Sequence, residues 1–211
     1  EFAFTINKAN NDLSVTVENW TYDDGSAVVP SVSGNNSGAA VIYTVTGVTD
    51  TSYSQSGSWA EVKPVNAGQY TLTVSVQETD NYNADTSESV SFTISQKGVT
   101  VGFASDTEYT YTGAAVDVVL TVDGLSVDLA DNEYFTVVSG YQGTDAGSYT
   151  ATIAWKGNYK ESGAADDFAT AQRSKEVGTW TIDPFAVSLP ESEEYTTTFS
   201  NTQQSWTWSN Y

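Results

Sequence analysis

Three runs of acidic residues are the groups in this chain best suited to acid–base chemistry: Asp23-Asp24, Asp166-Asp167 and Glu191-Ser192-Glu193-Glu194. Two carboxylates flanking a glycosidic bond hydrolyse it when one protonates the leaving oxygen and the other attacks or activates water. Here every pair lies in polar sequence, where solvated loop acids are the simpler reading. The chain contains neither cysteine nor histidine. It therefore lacks a thiolate nucleophile, the commonest metal ligand and the usual proton shuttle near neutral pH. No Ser-His pair, phosphate loop or zinc spacing is present, so the expectation is a protein that is not an enzyme and has no bound cofactor.

Two oxygen-rich runs are candidates for calcium. Asp80, Asn81, Asn83 and Asp85 fall within six positions, and Asp128, Asp131, Asn132 and Glu133 form a second group. Calcium takes several such oxygens, but neither run has the spacing or the glycine of an EF-hand. Among the aromatics, Trp155 and Trp180 alternate with aliphatic residues and read as core. Trp59 sits beside a polar stretch and is the candidate for stacking on a sugar ring. Lys8 and Lys97 follow repeated triplets near the start of a strand, where some bacterial Ig-like domains crosslink Lys to Asn. The closing strands offer no Asn, and Asp183 is the one nearby alternative.

Charge narrows the partners. Twenty-seven acids against seven bases give a net charge of −20. Nucleic acid and anionic lipid both require Lys and Arg, so neither is an expected partner. No apolar run is long enough to span a membrane, and none reads as a signal peptide. An exported form would thus be the mature part or an internal piece.

The elements that position these groups are organised by a repeat. Phe4-Thr5-Ile6, Phe92-Thr93-Ile94 and Trp180-Thr181-Ile182 begin 88 residues apart each time. Self-similarity at fixed spacing is the mark of a tandem array. Each triplet ends an alternating run and precedes a new apolar one. The clearest strand has Tyr70, Leu72, Val74 and Val76 on one face and Thr71, Thr73 and Ser75 on the other. That period of two predicts a sheet with one face on a core. Val116, Val118, Leu120 and Val122 predict another long strand, and Val28 to Val32 around Pro30 an edge strand. Residues 46–57 read as a surface excursion, Trp59 to Lys63 as weak alternation, and Ala164 to Ala171 as a short helical turn. The predicted fold class is all-β, as tandem Ig-like antiparallel β-sandwiches. The expected divisions are residues 1–6 (a closing or donor strand), 7–95, 96–183 and 184–211 (a partial third repeat or extension).

At Ala67-Gly68-Gln69-Tyr70-Thr71, Asp80-Asn81-Tyr82 and Phe92-Thr93-Ile94 the chain resembles bacterial Ig-like surface repeats of the MBG and YDG type. Ala146-Gly147-Ser148-Tyr149-Thr150, Gly157-Asn158-Tyr159 and Trp180-Thr181-Ile182 carry the second copy. Pro30 and the insertion between Glu161 and Gly178 depart from that pattern. The resemblance implies a secreted or surface-displayed protein, the stalk or spacer of an adhesin. Its expected partners are other repeats or neighbouring subunits, or a host or matrix glycan or protein. Two alternatives stand beside it: a carbohydrate-binding module, and a filament subunit assembled by strand donation. The residues available for such assembly are Phe4, Ile6, Phe185, Val187, Leu189, Trp206 and Trp208.

Overall fold

The computed structural model describes residues 2–25, 28–104, 106–168 and 173–187. Alternation of apolar with Ser or Thr residues builds two β-sandwiches in succession, each around its own core. In the first repeat the elements are β1 (Ser14–Thr16), β2 (Trp20–Thr21), β3 (Ser31–Ser33), β4 (Val41–Gly47), β5 (Ser54–Gly57), α1 (Trp59–Val62), β6 (Gly68–Val76), β7 (Asp85–Thr86) and β8 (Val90–Ser95). One sheet is the pair β1-β3, and the other runs β2-β8-β6-β4-β5 with β7 also on β6. On β6, Tyr70, Leu72, Val74 and Val76 are all buried, as the period of two requires. Burial of each aliphatic side chain contributes roughly 1.5–3 kcal/mol.

The second repeat has β9 (Lys97–Val99), β10 (Val101–Phe103), β11 (Glu108–Thr110), β12 (Val116–Asp117), β13 (Leu120–Val122), β14 (Leu125–Ser126), β15 (Phe135–Ser139), β16 (Gln142–Gly143), β17 (Gly147–Trp155), β18 (Tyr159–Glu161) and β19 (Ser174–Asp183). Its sheets are β10-β13-β14 and β11-β19-β17-β15. The order β11-β19-β17-β15 repeats β2-β8-β6-β4 of the first repeat, while β5 and β14 have no counterpart. The first core draws on residues from Leu13 to Ile94 and the second on residues from Val99 to Ile182. Tyr22 packs against both. Most pairings are antiparallel, but β2-β8, β11-β19 and β9-β18 are short parallel pairs.

Several local expectations change. The stretch at Trp59 is one helical turn, closed by a capping box in which the Ser58 amide donates to Glu61 Oε2 at 3.0 Å. The Ser-x-x-Glu spacing is the signal for it. The surface excursion ends in β5, which pairs with β4. The long strand expected from Val116 to Val122 is broken: β12 pairs with β16 and β13 with β10. Val118 N–H donates to Tyr141 and Val119 faces solvent, so the chain changes sheets there. β13 turns into β14 through Asp123 and Gly124, both at positive φ, the conformation a two-residue hairpin needs. Pro30 is buried just ahead of β3, a strand paired on one side only. Residues 164–168 are not helical, and 169–172 lie outside the described residues. Phe4-Thr5-Ile6 is in no strand.

Candidate functional site

The expected joint at Ser95-Gln96 is where the described structure concentrates its polar chemistry. Ile94 is fully buried in the first core and Val99 is 1% exposed in the second, so almost no chain lies between the two. Gln96 is itself 3% exposed, which is costly for an amide unless its hydrogen bonds are made. They are. Its backbone N–H donates to Asp166 Oδ1 at 2.9 Å, and Nε2 donates to the Gly157 carbonyl at 2.7 Å. Its Oε1 accepts from the Asp167 amide and from Arg173 Nη2, both at 2.9 Å.

Asp166, Asp167 and Arg173 belong to the insertion that the first repeat lacks. These three residues clasp the joint through Gln96. Lys160 pairs with Asp166 at 2.8 Å, and Arg173 with Asp167 at 3.5 Å. Burial opposes the charge on Asp166, but hydrogen bonds from Lys160, the Gln96 amide and Ser95 outweigh it and hold the carboxyl below its ordinary range.

A second set of contacts crosses directly between the sandwiches. Asn158 Oδ1 accepts from the Ala67 amide at 2.9 Å, and Asn158 Nδ2 donates to Asn66 Oδ1 at 3.1 Å. Tyr22 meets Tyr159 edge to face at 5.5 Å. Beside them, Lys97 Nζ donates to Asp23 Oδ2 at 2.6 Å, which raises the Lys97 pKa. Burial and hydrogen bonding to Glu133 push the Tyr159 hydroxyl strongly upward. Between the repeats lies an open cleft of about 570 Å³, lined in part by Asn66, Tyr70, Gln96, Asn158 and Arg173.

The residues proposed for ligands fare differently. Trp59 is 9% exposed, packs against Tyr43 and Phe92, and donates Nε1–H to the Val28 carbonyl at 2.9 Å. Its ring is core and offers no face to a sugar, which corrects the expectation drawn from its polar neighbours. In the first calcium run, Asp85 accepts the Leu13 amide at 2.9 Å and Asn83 Nδ2 donates to Asn10 Oδ1 at 2.7 Å. Asp80 and Asn81 are exposed. In the second run, Asp128 caps the Ala130 amide and Asn132 accepts from Tyr134 and Phe135, with Asp131 exposed and Glu133 turned to the tyrosines. Among the described residues no three carboxylates converge as a metal site. Backbone amides use oxygens of Asp85, Asp128 and Asn132.

Lys8 pairs with Glu78, and Lys97 with Asp23 as above. Of the assembly residues, Phe4 and Ile6 are each 85% exposed, and Phe185 and Val187 are also exposed. Leu189, Trp206, Trp208 and the carboxylates at 191–194 lie outside the described residues. Sequence reasoning placed the joint at Ser95-Gln96 but missed the burial of Gln96 and the reach of Asn158 across it. The one available signal was a long polar side chain standing between two apolar strands.

The chain is a tandem of Ig-like β-sandwiches. No family model matches it, and no curated protein does. Among solved structures, the fibronectin(III)-like modules of CbhA from Clostridium thermocellum are similar at 13% identity and a TM-score of 0.24, covering 81% of this chain and 95% of that one. A likeness at that level says nothing of what this chain does.

Proposed function

We propose that this chain is a non-enzymatic spacer at a bacterial cell surface, a stalk of stacked Ig-like repeats of the MBG and YDG type that holds an adhesive tip away from the cell. The observation that carries this reading is the four hydrogen bonds made by buried Gln96 at the joint. A short, clasped joint transmits orientation from one repeat to the next, where a Gly/Ser linker would behave as a random coil. The surplus of carboxylates keeps such a crowded rod soluble and apart from its neighbours.

Small-angle scattering tests it. A compact 211-residue globule has a radius of gyration of about 17 Å. The expected value is well above that, with the elongated pair-distance profile of a rod; a globular profile rejects the spacer. A second reading, a filament subunit built by strand donation, is supported by Phe2, Phe4 and Ile6, apolar residues at alternate positions that are all exposed. Electron microscopy of the chain with and without residues 1–6 tests it: fibres must form with them and be lost without them.

A further inference from the structure

The joint between the repeats is built from parts that recur at both far ends. Tyr22, whose N–H donates to the Ser95 carbonyl, has its counterpart in Tyr111, whose N–H donates to the Asp183 carbonyl. The Asn66-Ala67 turn, where the Tyr70 hydroxyl donates to the Asn66 carbonyl, is matched by Asp145-Ala146, where the Tyr149 hydroxyl donates to the Asp145 carbonyl. On the opposite face, Lys97 N–H donates to the Asn158 carbonyl, and Ala9 N–H donates to the Asn81 carbonyl in the same way. Asn81 and Tyr82 therefore stand where Asn158 and Tyr159 stand.

At the inner joint these groups are engaged with one another. At the outer ends Asn81, Asp145 and Ala146 are exposed, and Tyr111 is 38% exposed.

We propose that the Tyr111/Asp145-Ala146 end of one chain docks on the Asn81/Tyr82 end of a second copy, repeating the inner joint between molecules. This rests on the reading of the chain as stacked repeats, and it needs no exchange of strands. The Ala146 amide would meet the Asn81 carboxamide oxygen, and the Asp145 carboxylate would accept from its NH₂. The Tyr111 ring would lie against Tyr82.

Asn66 and Gln96 line one cleft at the inner joint, and their outer counterparts are Asp145 and Lys8, a carboxylate and a cation that already pairs with Glu78 of its own repeat. Two features of the inner joint are missing: the clasp of Asp166, Asp167 and Arg173, which the first repeat lacks, and the Lys97–Asp23 pair, which corresponds to Ala9 and Thr112 and cannot form. With the high net negative charge of the whole chain, that makes the contact weak, of the strength that matters where neighbouring ends are held at millimolar effective concentration. A head-to-tail contact of this kind does not close on itself, so it propagates along a line.

Sedimentation equilibrium up to millimolar protein, at moderate salt, tests the proposal. The expected result is open-ended association that weakens severalfold in Asn81→Ala and in Tyr111→Ala. The double variant Ala9→Lys/Thr112→Asp restores the missing pair and should associate about two- to five-fold more tightly, the range of an exposed ion pair, with neither single variant doing so. A chain lacking residues 1–6 should associate as the full chain does. The proposal is overturned if no concentration dependence is seen in either the native chain or the double variant. It is overturned equally by association that ignores both alanine variants, or by association lost with residues 1–6, which would assign it to strand donation. Elongated scattering from a chain that never associates would leave the spacer reading intact and remove this one.

Discussion

Gln96 and Arg173, 77 positions apart, meet through a 2.9 Å hydrogen bond from the guanidinium Nη2 to the carboxamide oxygen. That bond ties the chain segment linking the repeats to an insertion found in only one of them. Replacing Gln96 with Ala removes the acceptor shared by the Asp167 amide and Arg173 Nη2 and the donor to the Gly157 carbonyl, while Arg173 Nη2 keeps the Tyr159 carbonyl at 3.4 Å. An unmade hydrogen bond at a buried group costs about 1–3 kcal/mol, and Gln96→Ala is expected to lower stability by that order. Denaturant melts measure the loss. Residual dipolar couplings should show the two repeats reorienting independently in the variant and as one body in the native chain.

Acid should loosen the same joint. The Asp166 carboxyl is held below its ordinary range in the folded state, against about 3.9 in an unfolded chain. A carboxyl with a depressed folded value binds protons more readily when unfolded, so its contribution is present above the unfolded value and is lost as pH falls through the folded one. Stability measured against pH should therefore drop below about pH 4. In Asp166→Asn the share of that drop due to this residue should vanish, and an unchanged acid limb would refute the assignment.

The strands themselves were legible because β6 and β17 obey a period of two over many residues, and because a triplet recurring at fixed spacing marks the repeat. Breaks in that pattern were not. Val116 to Val122 alternates well enough to read as one strand, yet the switch of sheets at Val118 and Val119 depends on Tyr141, more than twenty positions away. Likewise, Gln96 is an ordinary polar residue in sequence. Its burial follows from an insertion about seventy residues later, whose path local propensity does not encode. The acidic runs carry partners that spacing alone does not show: Asp128 caps the Ala130 amide in its own turn, and Asp85 accepts the amide of Leu13, 72 positions away.

Alkaline titration offers a check on the tyrosines around the joint. Burial, together with Tyr53 and Asp50, raises the Tyr70 hydroxyl to about 12. A neutral phenol with a raised folded pKa stabilises the fold fully below its unfolded value of about 10, and that contribution is lost as pH rises towards the folded value. Ultraviolet difference spectra should show exposed tyrosines ionising near 10. Tyr70 and Tyr159 should ionise only at higher pH, together with unfolding. Removal of the Tyr70 signal in Tyr70→Phe identifies it, and a normal titration of all tyrosines would contradict the burial described.

Trp59 separates a structural role from a ligand-binding one. The ring is 9% exposed and lies 5.9 Å from Tyr43 and 6.4 Å from Phe92 between centroids. It reaches that place because the Ser58–Glu61 capping box turns the chain once and points residue 59 inward. Its indole N–H is satisfied by the Val28 carbonyl, so the site asks for an aromatic with a donor. Truncating a buried Trp leaves a cavity and costs about 3–5 kcal/mol. Trp59→Ala is therefore expected to lower stability by that order, while Trp59→Phe keeps most of the packing and loses the hydrogen bond, for a cost of about 1–2 kcal/mol. Thermal melts of the two variants give the ranking. If Trp59→Ala melts like the native chain but loses binding to a glycan panel, the ring lies at the surface and the core placement is wrong.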